Sequence, residues 1–154
     1  MRLFPVPLHV IEKYGEMWGK SREWMPMLDG MTDHATEITD PCALMHFSNR
    51  KHDEPGGKMH YIVGKFMKAD TPVPEGFDCW DMAPTTIGLV VVRGEFNDMI
   101  DKAMMIAHDK IVADGYAATY PDNYFHAEVY VKENIPKGGV VSKLGYMHAC
   151  KKKG

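Results

Sequence analysis

The residue with the most pointed chemistry in this sequence is Glu128. It sits in Tyr124–Val131, spelled Tyr-Phe-His-Ala-Glu-Val-Tyr-Val. The stretch alternates with the period of a half-buried strand. Phe125, Ala127, Val129 and Val131 point one way; Tyr124, His126, Glu128 and Tyr130 point the other. A carboxylate is thus set among aromatic rings near the middle of a sheet. Burying a charge without a partner is costly, so the acid needs a use. Three are open: an ion pair inside the protein, a ligand that brings its own positive charge, or catalysis.

Each use asks for different company. A water-activating base needs a second group within hydrogen-bond reach. Glu128 could serve, and His126 shares its face: positions two apart on a strand are about 7 Å apart at the backbone, a gap that long side chains can bridge. No Gly-x-Ser-x-Gly elbow and no Cys–His spacing marks a nucleophile, so no catalytic residue is assigned. Metal chemistry has less support. His46 follows Cys42 by four places and Cys150 follows His148 by two, but neither pair has a matching second half. No haem ligand stands out, and Gly138-Gly139 lacks the lysine and helix of a phosphate loop. No cofactor and no metal are expected.

Bulk composition narrows the partners. The chain has 154 residues, 45% hydrophobic and 25% charged, with net charge −3. That is one domain's worth of core. The balance argues against a nucleic-acid surface, which needs a basic stripe. The run Lys151–Lys153 reads as a solvated end. No stretch reaches the roughly 18 apolar residues of a membrane span, and the first residues do not read as a secretory signal. Three widely spaced cysteines, Cys42, Cys79 and Cys150, give no disulfide framework, so a reducing cytoplasm is the expected setting. The thirteen methionines suit either plain core packing or an adaptable pocket wall.

Periodicity supplies the elements that position Glu128. Leu3–Ile11, broken by Pro5 and Pro7, predicts an edge strand. Met17, Trp24, Leu28 and Met31 fall on one face of a helix that Pro26 should kink or split. Strands follow at Cys42–Phe47 and His60–Met67, separated by a polar loop over 48–58. A turn-rich link over 68–76 leads to a short edge piece, Phe77–Met82. Ile87–Arg93 is the most strand-like run. Phe96, Ile100, Ala103, Met104, Ala107 and Ile111 keep helical spacing, with Asn97 or Asp98 as N-cap and Asp114-Gly115 as stop. After the Glu128 strand come a turn at Pro136–Gly139 and a last strand over Lys143–Cys150. The order is strand, helix, strand, strand, given twice, in pseudo-repeats of about 1–68 and 83–150. The expected fold is α+β: one domain over 1–154, a mostly antiparallel sheet, both helices on one face and a cleft at the seam.

The chain resembles the GyrI-like small-molecule-binding domain, the effector-binding domain of multidrug-responsive transcription activators. The residues that carry the likeness are Tyr61-Ile-Val-Gly64, Thr71-Pro-Val-Pro-Glu-Gly76, Val92-Arg93-Gly94, Gly115-Tyr116 and Glu128-Val-Tyr130. They cover about residues 60–131; the N-terminal part matches in element order alone. The resemblance implies a tandem repeat and a cleft at its pseudo-twofold seam, in which a glutamate attracts lipophilic cations. Glu128 matches that glutamate. Two positions depart from the pattern: Ile87 stands where an aromatic is common, and Lys110 where a tryptophan is common. Stand-alone members of the family occur, some in integron cassettes. With the first strand at about residue 3, no DNA-binding region is expected ahead of the domain.

The expected function is therefore the binding of hydrophobic, cationic, drug-like molecules. Glu128 supplies the charge, and Tyr130, Tyr124, Trp80, Tyr61, Phe47, Trp18 and Met104 are candidate walls. The protein would sequester its ligand or report it to a separate regulatory protein. Apolar edge segments leave room for a homodimer. The alternatives are a small hydrolase of strained-ring genotoxins, which some members of the family are, and an interaction protein whose cleft has lost its ligand.

Overall fold

The computed structural model describes residues 2–5, 8–12, 21–47, 59–82, 84–118, 125–130 and 143–154. The loop over 48–58, the turn at Pro136–Gly139, and the candidates Trp18 and Tyr124 lie outside the described residues. The elements run β1 (Arg2–Pro5), β2 (Leu8–Glu12), α1 (Ser21–Gly30), β3 (Cys42–Phe47), β4 (Met59–Met67), β5 (Asp78–Met82), β6 (Thr86–Val92), α2 (Phe96–Ala113), β7 (Tyr116–Ala118), β8 (Phe125–Val129) and β9 (Leu144–Lys152). A 3-10 turn at Thr32–His34 follows α1. The fold is α+β, with every strand pair antiparallel.

Several boundaries differ from expectation. The edge strand over Leu3–Ile11 is two strands that part company: β1 pairs β6, while β2 lies between β4 and β5. The proline rule holds for β1, which ends on Pro5 at a sheet edge; β2 has no proline and takes an inner place. Helix α1 continues through Pro26, which is exposed. Helix α2 starts two or three residues earlier than its polar residues suggested. Glu95 is its N-cap and makes no side-chain cap bond, so Asn97 and Asp98 lie inside the first turn. Its stop is as expected: Gly115 takes a φ of +87°, which favours glycine.

Sheet order explains the interior. The strands run β1-β6-β9-β8-β3-β4-β2-β5, with β7 beside β9. The units β2-α1-β3-β4 and β6-α2-β8-β9 meet at the β3–β8 pair. Residues 83–85 alone join β5 to β6. An extended link of that length spans about 14 Å. In a flat sheet those strands, six places apart, would stand about 29 Å apart. The sheet must therefore curl enough to bring the end of β5 within that reach of the start of β6. The packing agrees: Met82 of β5 and Ile87 of β6 share one apolar cluster with Cys42, Leu44, Phe66, Ala127, Val129 and Met147. This is the inside of the curl.

The other face carries both helices. Helix α1 packs Trp24, Met25 and Leu28 against Val63 and Met67 of β4. Helix α2 packs Met99, Ala103, Ala107 and Ile111 against Val90, Val92, Leu144 and Tyr146. The strand register runs Val63–Ala43–Glu128–Tyr146–Val90 straight across. Cross-strand neighbours share a face, so the two helices sit on one side of the sheet, at either end of this row. The buried Lys65 ammonium donates to Asp29 at 2.7 Å and ties β4 to α1.

One glycine is required by packing. A Cβ built on Gly145 would lie 3.0 Å from the Val129 Cβ and 3.2 Å from Leu89 Cδ1. Both neighbours sit on strands flanking β9, so neither can retreat without moving the sheet. Gly145→Ala is expected to cost ~1–3 kcal/mol of stability, the range for overpacked cores. Denaturant unfolding of the variant checks this.

Candidate functional site

Glu128 lies in the middle of the helix-bearing face, half-buried, on strand β8. Its two flanking strands set its neighbours. Ala43 of β3 stands across on one side and Tyr146 of β9 on the other. The alanine leaves room above it; the tyrosine is buried and supplies a ring. Just past β8 the Tyr130 amide donates to the Pro41 carbonyl at 2.9 Å, next to the Cys42–Val129 pair. The Tyr130 hydroxyl then donates to Glu128 Oε2 at 2.6 Å. Burial pushes the Tyr130 hydroxyl well above the ordinary phenol range, and the Glu128 carboxylate adds to the push. The phenol therefore stays protonated and keeps donating.

A carboxylate can accept at about four lone-pair sites, and this hydrogen bond uses one. Among the described residues no lysine or arginine forms an ion pair with Glu128. Lys65, the one buried lysine among them, is committed to Asp29. Among the described residues, then, nothing supports an internal ion pair as the use of this acid.

The next row along the face is His148–His126–Met45–Tyr61, again read from the register. The rings close up around Glu128. His126 and Tyr146 have centroids 5.8 Å apart, and Tyr146 and His148 5.3 Å apart. Tyr61 and Tyr146 both lie near enough to help hold the Tyr130 hydroxyl protonated, so these three tyrosines converge near the carboxylate. Tyr61 keeps 45% of its surface exposed, which gives the group an opening. Burial holds both imidazoles neutral near pH 7: His126 is lowered from its ordinary 6.5, and His148 is lowered to about 4.

The sequence candidates divide accordingly. Glu128, Tyr130 and Tyr61 come together. Phe47 ends β3 in register with Met59; its side chain is outside the described residues. Trp80 lies apart from that group. It stands opposite Val10, which stands opposite Phe66, so it packs on the interior cluster behind the sheet. A strand's two faces cannot be told apart by sequence when both are apolar. Met104 is 39% exposed on α2, and its backbone carbonyl lies 3.4 Å from His148 Nε2. Tyr146 and His148 were missed. Alternation in Leu144–Cys150 was the available signal, placing Leu144, Tyr146, His148 and Cys150 on one side.

Other chemistry is not built into the described residues. No group of three or more His, Cys, Asp or Glu among them is placed to hold a metal ion. No helix among them is long and apolar enough to cross a membrane.

No family model and no curated protein matches this sequence. Solved structures do match in fold. SAV2435 bound to tetraphenylphosphonium aligns with a TM-score of 0.61 at 12% identity, covering 97% of this chain and 93% of that one. A putative bacterial transcription regulation protein from Staphylococcus aureus MU50 aligns at 0.54 and 12% identity, covering 99% and 97%. A hydrolase encoded by lin2189 from Listeria innocua aligns at 0.51 and 9% identity, covering 97% and 91%. At these identities the likenesses show a shared fold.

Proposed function

We propose that this protein binds lipophilic cations in a cleft on the helix-bearing face, with Glu128 as counter-charge. The carrying observation is the half-buried Glu128 carboxylate, hydrogen-bonded by Tyr130 and ringed by aromatic side chains, with no lysine or arginine partner among the described residues.

Geometry supports a gap there. Helix α1 stands over β4, and α2 over β6 and β9. Those footprints are about three and a half strands apart, roughly 17 Å. Packed helices sit 8–10 Å apart. The curl turns this face outward and spreads the helices further. The strip over β3 and β8, where Ala43 and Glu128 lie, is therefore left between them.

The physics favours a lipophilic cation over a hydrated one. A half-buried carboxylate has already lost part of its water, and a lipophilic cation holds its own water weakly, so pairing them removes little hydration from either. Tyr130, Tyr61 and Tyr146 offer ring faces, each worth about 0.5–2 kcal/mol to a cation. A fold neighbour was solved with tetraphenylphosphonium bound, which makes that compound the natural first probe. The ligand of this protein would then be sequestered or reported to a separate regulatory protein.

Thermal stability tests the reading. Tetraphenylphosphonium at a hundred times its dissociation constant is expected to add about 2.7 kcal/mol to unfolding. A neutral compound of the same size, triphenylphosphine oxide, should add much less. Equal stabilisation by both, or none, would remove Glu128 as a cation site. Recovering the compound unchanged separates binding from hydrolysis on the same fold.

A further inference from the structure

We propose that His126, His148 and His108 make the seam a proton-released site, in which an imidazolium beside Glu128 replaces the ligand's cation in acid. The inference rests on the cation-binding reading above and concerns its regulation.

Three imidazoles connect the surface to the carboxylate. His108 is on α2 with its side chain 46% exposed, Nδ1 lying 3.4 Å from Asp109 Oδ1. His148 lies beneath it, ring centroids 6.2 Å apart and nearly perpendicular. His126 stands directly across from His148 in the strand register, centroids 6.0 Å apart. From His126, Glu128 is two places along the same strand and on the same face, about 7 Å at the backbone. An imidazole and a carboxylate side chain together can span that distance.

The surroundings fit a proton rather than a metal. His148 Nε2 faces the Met104 carbonyl at 3.4 Å, and its Nδ1 is buried with no hydrogen-bond partner among the described residues. That nitrogen is an empty proton site. The groups facing the two inner rings come from every neighbouring element. Helix α2 gives His108, with Asp109 at the outer end. Strand β9 gives Tyr146 and Cys150, whose thiol burial pushes up. Strand β8 gives Glu128. In register, β6 offers Gly88, and β3 and β4 offer Met45 and Tyr61. Further along the seam Lys65 is engaged by Asp29. Glu128 is thus the negative charge of this face toward which an inner imidazolium would turn.

At neutral pH burial keeps both inner rings uncharged, so Glu128 is open to an outside cation. In acid the inner rings gain protons. His126 is expected to charge first, since His148 is held down to about 4. A cation already on Glu128 repels that proton and lowers the imidazole pKa further. Free protein therefore binds more protons than liganded protein. By linkage, affinity is flat above the free-protein imidazole pKa and falls as pH drops through it.

The test is calorimetric titration of the full chain with tetraphenylphosphonium, a permanent cation with no proton of its own. Affinity is expected to hold between about pH 8 and pH 7 and to fall roughly fivefold or more by about pH 5. The double variant His126→Phe, His148→Phe should keep its affinity across that range. Should that variant not fold, wild type alone decides. Titration near pH 5.5 in two buffers of different ionisation heat should show protons released on binding. Constant affinity across the range, no proton release, or an equal fall in the double variant would overturn the proposal. Failure to bind at pH 8 would instead overturn the cation reading beneath it.

Discussion

Glu128→Gln is expected to weaken tetraphenylphosphonium binding by ~1.5–3 kcal/mol, the loss typical of a charged contact, or roughly ten- to a hundredfold in dissociation constant. Glutamine keeps the shape of the side chain and leaves an amide oxygen for the Tyr130 hydroxyl, which now donates at 2.6 Å. The substitution therefore removes charge and little else. Folding should be unchanged or slightly improved, since a half-buried charge without a basic partner among the described residues costs something to hold. Calorimetric titration measures the first effect and denaturant unfolding the second. Loss of folding in this variant would mean that the carboxylate serves the structure, through a partner that the Tyr130 contact does not reveal.

The largest stability effect belongs to the other face. Phe66 is fully buried on β4, inside the curl, beside Leu44, Ile62, Met82 and Ile87. These side chains come from strands at both ends of the sheet order. Phe66→Ala would empty the space that holds those ends together, and a sheet curled by a short β5–β6 link has little freedom to collapse into it. A loss of ~3–5 kcal/mol is expected. That corresponds to a fall in Tm of roughly 10 °C for a chain of this size. Met105→Ala, on the outer face of α2 and 64% exposed, should change stability by less than about 0.5 kcal/mol. Similar losses for the two would contradict an interior formed by curling.

The sequence was most legible where one face is polar. Strand β8 carries its alternation openly, and the sides taken by His126, Ala127, Glu128 and Val129 follow the period. Helix α2 was legible because Ala103, Ala107 and Ile111 repeat at helical spacing over several turns. Strand β9 was less so. Residues 144–150 are buried throughout, so the polar face held by Tyr146 and His148 is hidden among apolar neighbours. Trp80 shows the deeper limit. Whether a residue of an edge strand faces Glu128 or Phe66 depends on register through β2 and β4, and a slip of one place reverses it. Register follows from which strands pair, and the split of β1 from β2 is a long-range choice that no local pattern announces. Even so, the element order was enough to place two helices on one face, and to put Glu128 on the strand that borders the seam.

A chemical-shift titration of the backbone amides with tetraphenylphosphonium tests the central claim most directly. The account predicts saturable shifts centred on His126–Tyr130, with Ala43, Tyr61, Val63, Tyr146 and His148 around them, and the same set abolished or weakened in Glu128→Gln. Saturable shifts confined to the interior cluster about Phe66, or to the exposed apolar edge of α2 at Met105 and Ile106, would contradict it.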